Sequence, residues 1–79
     1  MIEEIEKKLR ELLEDEFDGL GDFSNETALF TTSVLDSLAL IKIMSFINEE
    51  FDVSIEPADI TIANIDTVSL WAKLIVSKT

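Results

Sequence analysis

The sequence offers few side chains that could do chemistry, and the most conspicuous of them is a serine directly after an aspartate. Asp36 and Ser37 stand where a long segment without helical periodicity gives way to an apolar, helix-like pattern. Either side chain can accept a hydrogen bond from the unpaired N–H groups of a first helical turn. Those N–H groups and the helix dipole also favour negative charge, so they would stabilise a phosphodiester built on the Ser37 hydroxyl. For the dipeptide alone, capping is the simpler explanation.

The side chains that a self-sufficient enzyme needs are missing. The chain has no histidine, cysteine or tyrosine, so a small hydrolase based on Ser37 would lack its usual base. The acidic residues follow neither the spacing of a set of oxygen ligands nor that of a calcium-binding loop. We therefore predict no catalytic residues and no metal site.

The net charge of the chain indicates which classes of partner it can bind. Seventeen acidic residues against six basic ones give a net charge of -11, which repels nucleic acids and anionic membranes and favours basic protein surfaces. Residues 1–16 are highly charged, and no apolar stretch is long enough for a signal sequence or a membrane span. We expect a cytoplasmic protein with no membrane insertion. Its 79 residues predict a single domain, 1–79.

The elements that must position Ser37 are predicted from hydrophobic periodicity. A first helix, about 2–17, is indicated by apolar residues at spacings of three, four and one: Ile2, Ile5, Leu9, Leu12, Leu13 and Phe17. A long loop, 18–36, follows. It contains both glycines, and four apolar residues are expected to anchor it to the core: Leu29, Phe30, Val34 and Leu35.

A second helix is predicted at about 37–51. Its expected core stripe consists of Leu40, Ile43, Met44, Ile47 and Phe51. Leu38, Ile41 and Phe46 lie off this stripe, so the helix is either buried on nearly all sides or presents apolar surface to something else.

Two shorter helices complete the predicted fold. Pro57 suits the first turn of a short third helix, about 57–62. A fourth helix, about 66–77, has Asp66 or Thr67 as its cap and an expected core stripe of Val68, Trp71, Ala72, Leu74 and Ile75. The fold class is therefore all-α, a four-helix bundle with a short third helix and a long loop between the first two.

The segment from Phe30 to Leu38, FTTSVLDSL, resembles the attachment motif of acyl and peptidyl carrier proteins, here of the stand-alone type. The similarity continues through the segments 49–57, 59–61 and 64–68, which resemble the end of the family's second helix, its third helix and the start of its fourth. The resemblance covers about 29–75 and implies the acyl-carrier type of four-helix bundle.

The resemblance also implies a function. A phosphopantetheinyl transferase would move 4'-phosphopantetheine from coenzyme A onto Ser37, and Asp36 would assist recognition by that enzyme. The thiol of this arm would carry an acyl or aminoacyl group as a thioester from a loading ligase to downstream acyl-processing enzymes. Leu38 and Ile41 would belong to the surface on which these partners dock, with a weaker expectation for Phe46. The family resemblance suggests a monomer.

Departures from the pattern of fatty-acid carriers bear on the pathway. Residues 34–39 read VLDSLA where those carriers usually have GADSLD, and Lys42 and Asn48 stand where acids would be expected. The Leu-Asp-Ser-Leu form is more similar to carriers loaded by adenylating ligases, so we expect a specialised pathway. Ser33 stands where a glycine is common, which could stiffen the turn before the site. The alternative function is an unmodified acidic helical adaptor that binds a basic partner protein.

Overall fold

A computed structural model describes residues 2–17, 23–32 and 35–78, and within these ranges the chain is helical without strands. Its four helices are α1 (Ile2–Glu16), α2 (Ser37–Phe51), α3 (Ile62–Ile65) and α4 (Val68–Lys78), with a 3-10 turn at Pro57–Asp59. The predicted all-α fold, with a short third helix and a long connection between the first two, is confirmed. The extent of the single domain, 1–79, stays a prediction.

The core forms where the helices turn their apolar stripes inward. α1 contributes Ile5, Leu9 and Leu13, at the spacing of four that keeps side chains on one face. α4 contributes all five members of its predicted stripe: Val68, Trp71, Ala72, Leu74 and Ile75. Trp71 is only 2% exposed, and its indole N–H has no hydrogen-bond acceptor within the described ranges.

α2 is turned slightly from its predicted orientation. Its buried residues are Ala39, Ile43 and Ile47, whereas the expected core residues Leu40, Met44 and Phe51 are only partly buried. The small side chain of Ala39 occupies the inner position nearest the start of the helix. The buried stripe runs from Ala39 at regular spacings of four. Leu40 and Met44 each follow a residue of this stripe by one position, so they lie at its edge and are only partly buried.

The predicted third helix, about 57–62, begins at Pro57 as expected, but it is a 3-10 turn that ends at Asp59. Asp59 ends the 3-10 turn with its carboxylate accepting from the Glu56 N–H at 3.0 Å. Its carbonyl oxygen accepts both from the Thr61 N–H and from the Asn64 side chain, each at 3.0 Å. The backbone of Ile60 is not helical and that of Thr61 is extended, so α3 begins only at Ile62.

The ends of the other helices differ less from their predicted places. Phe17 lies just beyond α1, although its N–H still donates to the Leu13 carbonyl at 3.0 Å. Of the two candidate caps for the last helix, Thr67 performs that role. Its hydroxyl accepts from the Leu70 N–H at 3.1 Å, and α4 therefore begins at Val68.

Candidate functional site

The start of α2 is fixed by Asp36, as one of the sequence alternatives predicts. Asp36 has an extended backbone, with φ -115° and ψ -171°, and its Oδ1 accepts from the Ala39 N–H at 3.0 Å. Its carbonyl oxygen accepts from the Leu40 N–H at 3.0 Å, which makes the first bond of the helix. Asp36 is thus the residue at which loop becomes helix, and the residue after it is held on the first turn.

Ser37 is that residue, and it is exposed. Within the described ranges, its hydroxyl makes no hydrogen bond, and no acceptor is paired with the backbone N–H of Ser37 or Leu38. The hydroxyl is therefore accessible at a helix end where N–H groups favour an anion.

The loop that leads to Ser37 is held by Asp66, which lies between α3 and α4 and is 9% exposed. Its Oδ1 accepts from the N–H groups of Phe30 and Thr31 at 2.8 and 3.0 Å. Its Oδ2 accepts from the Thr31 hydroxyl at 2.9 Å, and its backbone carbonyl accepts from the Leu29 N–H at 2.8 Å. One buried residue therefore fixes three successive residues of the loop.

The carboxyl group of Asp66 is kept charged by these contacts. Burial acts to raise its pKa, but the hydrogen bonds from Thr31 and Phe30 outweigh burial and lower the pKa below its ordinary value of 3.8. Sequence reasoning proposed Asp66 only as a possible helix cap and missed this role. The one signal available was an Asp directly before a helix that already had Thr67 as a cap.

Apolar anchors complete the path from the loop to the site. Leu29 and Leu35 are 1% and 5% exposed, and the Leu35 N–H donates to the Leu29 carbonyl at 2.9 Å. Phe30 is partly buried against the core. The predicted anchor Val34 and the turn residue Ser33 lie outside the described residues. Because Leu35 is buried next to Asp36, the core reaches to within two residues of Ser37.

The loop is also tied at its beginning to α1 and α4. The Asn25 side-chain oxygen accepts from Arg10 Nη1 at 2.8 Å, and the Asn25 carbonyl accepts from the Ser69 N–H at 3.0 Å. The Ser69 hydroxyl lies 3.0 Å from Glu6 Oε2 and also contacts Glu26 Oε1. The described part of the loop is therefore bound to two other elements of the fold, α1 and α4.

Leu38 and Ile41, the predicted docking residues, are 69% and 59% exposed. Ile41 follows Ser37 by one helical turn and shares its side of α2. Phe46 is partly buried and packs against the core, so it is less available to a partner. Ile62, at the start of α3, is 51% exposed and was not identified from the sequence as an apolar surface residue.

Other kinds of site find no support in the described part of the chain. It contains no cluster of three or more histidine, cysteine or acidic side chains that could hold a metal ion. None of its helices combines the length and the hydropathy needed to cross a bilayer.

These features define a small helical protein that presents an exposed serine at the capped start of its central helix. The family model described as the phosphopantetheine attachment site matches residues 7–75, and the chain belongs to this family. Members of the family bear 4'-phosphopantetheine covalently and are generally carriers without catalytic activity. The chain is thus a carrier protein with a phosphopantetheine arm, and its partners include a phosphopantetheinyl transferase and acyl-processing enzymes. A comparison with curated proteins found no match.

Proposed function

We propose that Ser37 is the residue that bears the phosphopantetheine arm. The observation that carries this assignment is an exposed hydroxyl on the first residue of α2, directly after the Asp36 cap. The site suits the group, since an uncovered oxygen leaves room for a phosphodiester and the helix end favours its charge. The thiol at the far end of the arm supplies the thioester chemistry, and the chain contributes no cysteine that could compete with it.

The attachment step requires a transferase, coenzyme A and magnesium. The Ser37 oxygen attacks the phosphorus that carries the pantetheine, and the P–O bond to the other phosphate of the pyrophosphate breaks. Adenosine 3',5'-bisphosphate leaves, and a base on the transferase accepts the hydroxyl proton. Magnesium held with coenzyme A neutralises the charge on the leaving group.

Asp36, Leu38 and Ile41 have distinct roles in this proposal. Among the described residues, only Oδ1 of the Asp36 carboxylate accepts a hydrogen bond, so we assign Oδ2 to contact with the transferase. Leu38 and Ile41 form an uncovered apolar surface beside the attachment point. A partner that buries them brings its active site to the tethered cargo, and exposed apolar side chains of this kind contribute to binding when they are covered.

The chain delivers acyl or aminoacyl groups that a ligase has loaded, in a specialised pathway rather than in housekeeping fatty acid synthesis. Support comes from residues 34–39, VLDSLA, and from Lys42 and Asn48, which occupy exposed positions of α2. A lysine there weakens the acidic surface that fatty-acid carriers present along this helix. We further propose that the protein catalyses nothing by itself and acts as a monomer. The cytoplasmic location stays a prediction.

The assignment of Ser37 is tested by mass. Incubation with coenzyme A, magnesium and a promiscuous phosphopantetheinyl transferase should add one phosphopantetheine to the wild type and none to Ser37→Ala. Ser45→Ala is the matched control, because Ser45 is also an exposed serine of α2. This variant should be modified to the same extent as the wild type. A wild type that stays unmodified would favour the alternative function, an unmodified acidic adaptor. Loss of modification in Ser45→Ala alone would assign the attachment to Ser45 instead of Ser37.

A further inference from the structure

A groove separates the second half of α1 from the middle of α2. It consists of two adjoining depressions of about 350 and 320 Å³, which share Leu12, Glu16 and Phe46 and are therefore continuous. We call it the α1–α2 groove. It exists because α1 packs its backbone most closely against α4, so α2 stands further from α1.

The floor of the α1–α2 groove is apolar. Leu12 and Phe46 are partly buried and pack against the core from opposite sides of the groove. Phe17 and Ile41 extend this apolar surface at the end nearer Ser37. Ile41 lies one turn from Ser37, so the groove begins beside the proposed attachment point and leads away from it.

The rim of the α1–α2 groove is acidic. α1 contributes Glu11, Asp15 and Glu16, and α2 contributes Glu49 and Glu50. In the described part of the chain, the carboxylates of Asp15, Glu16 and Glu49 take part in no hydrogen bond or ion pair. Like charges brought together in this way destabilise the compact state unless an opposite charge is placed against them.

The two lysines of the α1–α2 groove are already engaged within the chain. Lys8 Nζ lies 2.7 Å from Glu50 Oε1 and 5.9 Å from the centre of the Phe51 ring. Lys42 Nζ lies 5.9 Å from the centre of the Phe17 ring. Lys8 offsets one carboxylate of the rim and Lys42 faces an aromatic ring, so the groove keeps an excess of negative charge over an apolar floor.

We propose that the α1–α2 groove is a docking site for a helical segment of a partner protein with apolar side chains on one face and lysine or arginine beside them. The apolar face covers Leu12 and Phe46, while the basic residues meet the unpaired carboxylates of the rim. The arm of this chain fits less well, because its phosphate is repelled by the acidic rim and the arm has no positive charge to pair with the carboxylates. The proposal goes beyond the carrier function and does not require Ser37 to be modified.

The probe for this site is an amphipathic peptide of leucine and lysine of about 14 residues, which spans roughly 20 Å as a helix. Titrated into the isotope-labelled full-length chain, apo or holo, it should shift the backbone amide signals of Leu12, Glu16 and Phe46. Binding should weaken as the ionic strength rises. A peptide with serine in place of leucine tests the contribution of the apolar floor.

Charge reversal at the rim gives the matched comparison. Glu16→Lys should weaken binding of the peptide by roughly fivefold, the effect of losing about 1 kcal/mol of electrostatic attraction. Glu14→Lys changes the net charge equally, but Glu14 is exposed on the same helix and lines neither depression. It should alter the affinity by less than about twofold. Both positions are exposed, so neither variant should perturb the fold.

Four results would overturn the docking site. Equal weakening by the two reversals, or equal binding of the serine peptide, would mean non-specific attraction to an acidic protein. Shifts confined to Leu38 and Ile62 would place the segment on another surface. If attachment of the arm shifts Leu12 and Phe46 and blocks the peptide, the groove belongs to the arm. The modification of Ser37 is measured independently, by mass. A negative result there would contradict the proposed attachment site but not the proposed docking site.

Discussion

Asp36 and Asp66 both use a carboxylate to accept backbone N–H groups, one at the surface and one in the interior. Asp36 is exposed and satisfies one N–H at the start of α2. Asp66 is buried and satisfies two N–H groups and one hydroxyl of a loop that is far away in sequence. The comparison separates two requirements of a carrier site. Contacts in the interior fix the position of Ser37, the proposed attachment residue, whereas its hydroxyl is left exposed.

The largest effect is expected from removing the buried carboxylate. Asp66→Ala leaves three donors without their acceptor, so we expect a loss of about 2–4 kcal/mol in the free energy of unfolding, measured by urea denaturation. Asp66→Asn keeps one acceptor oxygen and should lose less. If both variants are as stable as the wild type, the interior carboxylate does not hold the loop and the contrast with Asp36 disappears.

Acid should weaken the interior contact. Because the pKa of Asp66 is lower in the folded chain than its ordinary value of 3.8, the charged carboxylate adds stability above that value. This contribution is lost as the pH falls through the folded-state pKa. The wild type should therefore lose more stability than Asp66→Asn between about pH 5 and pH 2 in denaturation measured at each pH. Parallel curves for the two proteins would contradict this.

A smaller effect is expected at the surface carboxylate. Asp36→Ala removes one cap and should cost about 1 kcal/mol, whereas Asp36→Asn keeps an acceptor for the Ala39 N–H and should cost less. Transferase kinetics then separate the two roles proposed for this residue. If recognition requires the charge, both variants slow modification of Ser37; if only the helix start matters, Asp36→Asn is modified at the wild-type rate.

The smallest change in stability is expected at the exposed apolar residues. Ile41→Ala should change the free energy of unfolding by less than about 0.5 kcal/mol, because the side chain is mostly in water. It should nevertheless slow modification or loading, since a partner that docks beside Ser37 loses an apolar contact. Ile62→Ala is the control, as another exposed isoleucine on a different helix. Equal slowing in both variants would argue against a docking surface centred on α2.

The features that could be predicted from the sequence are those that depend on residues close together along the chain. The stripes of α1 and α4 follow from spacings of three and four, and the cap at Asp36 follows from residue type at a helix start. The prediction for Ser37 rests on a local motif, the residues around Asp36. Its exposure agrees with that prediction, although the attachment itself remains to be measured.

What could not be predicted depends on contacts between distant residues or on competition between similar local structures. Asp66 and Thr31 are 35 residues apart, and nothing in their spacing shows that they meet. Near Pro57, the 3-10 turn ends at Asp59, whose carbonyl accepts from the Thr61 N–H and the Asn64 side chain, and hydrophobic periodicity predicts neither contact. The α1–α2 groove could not be predicted from the sequence either, because it depends on the distance between two helices.

The burial of Trp71 gives this molecule a built-in optical reporter. The chain has one tryptophan and no tyrosine, so its intrinsic fluorescence is dominated by a single indole enclosed by the core. Emission from such a shielded ring lies at short wavelength and moves to longer wavelength when water reaches it. The same signal distinguishes two fates of the cargo: a group that enters the interior alters the environment of the ring, and one that stays outside leaves its spectrum unchanged.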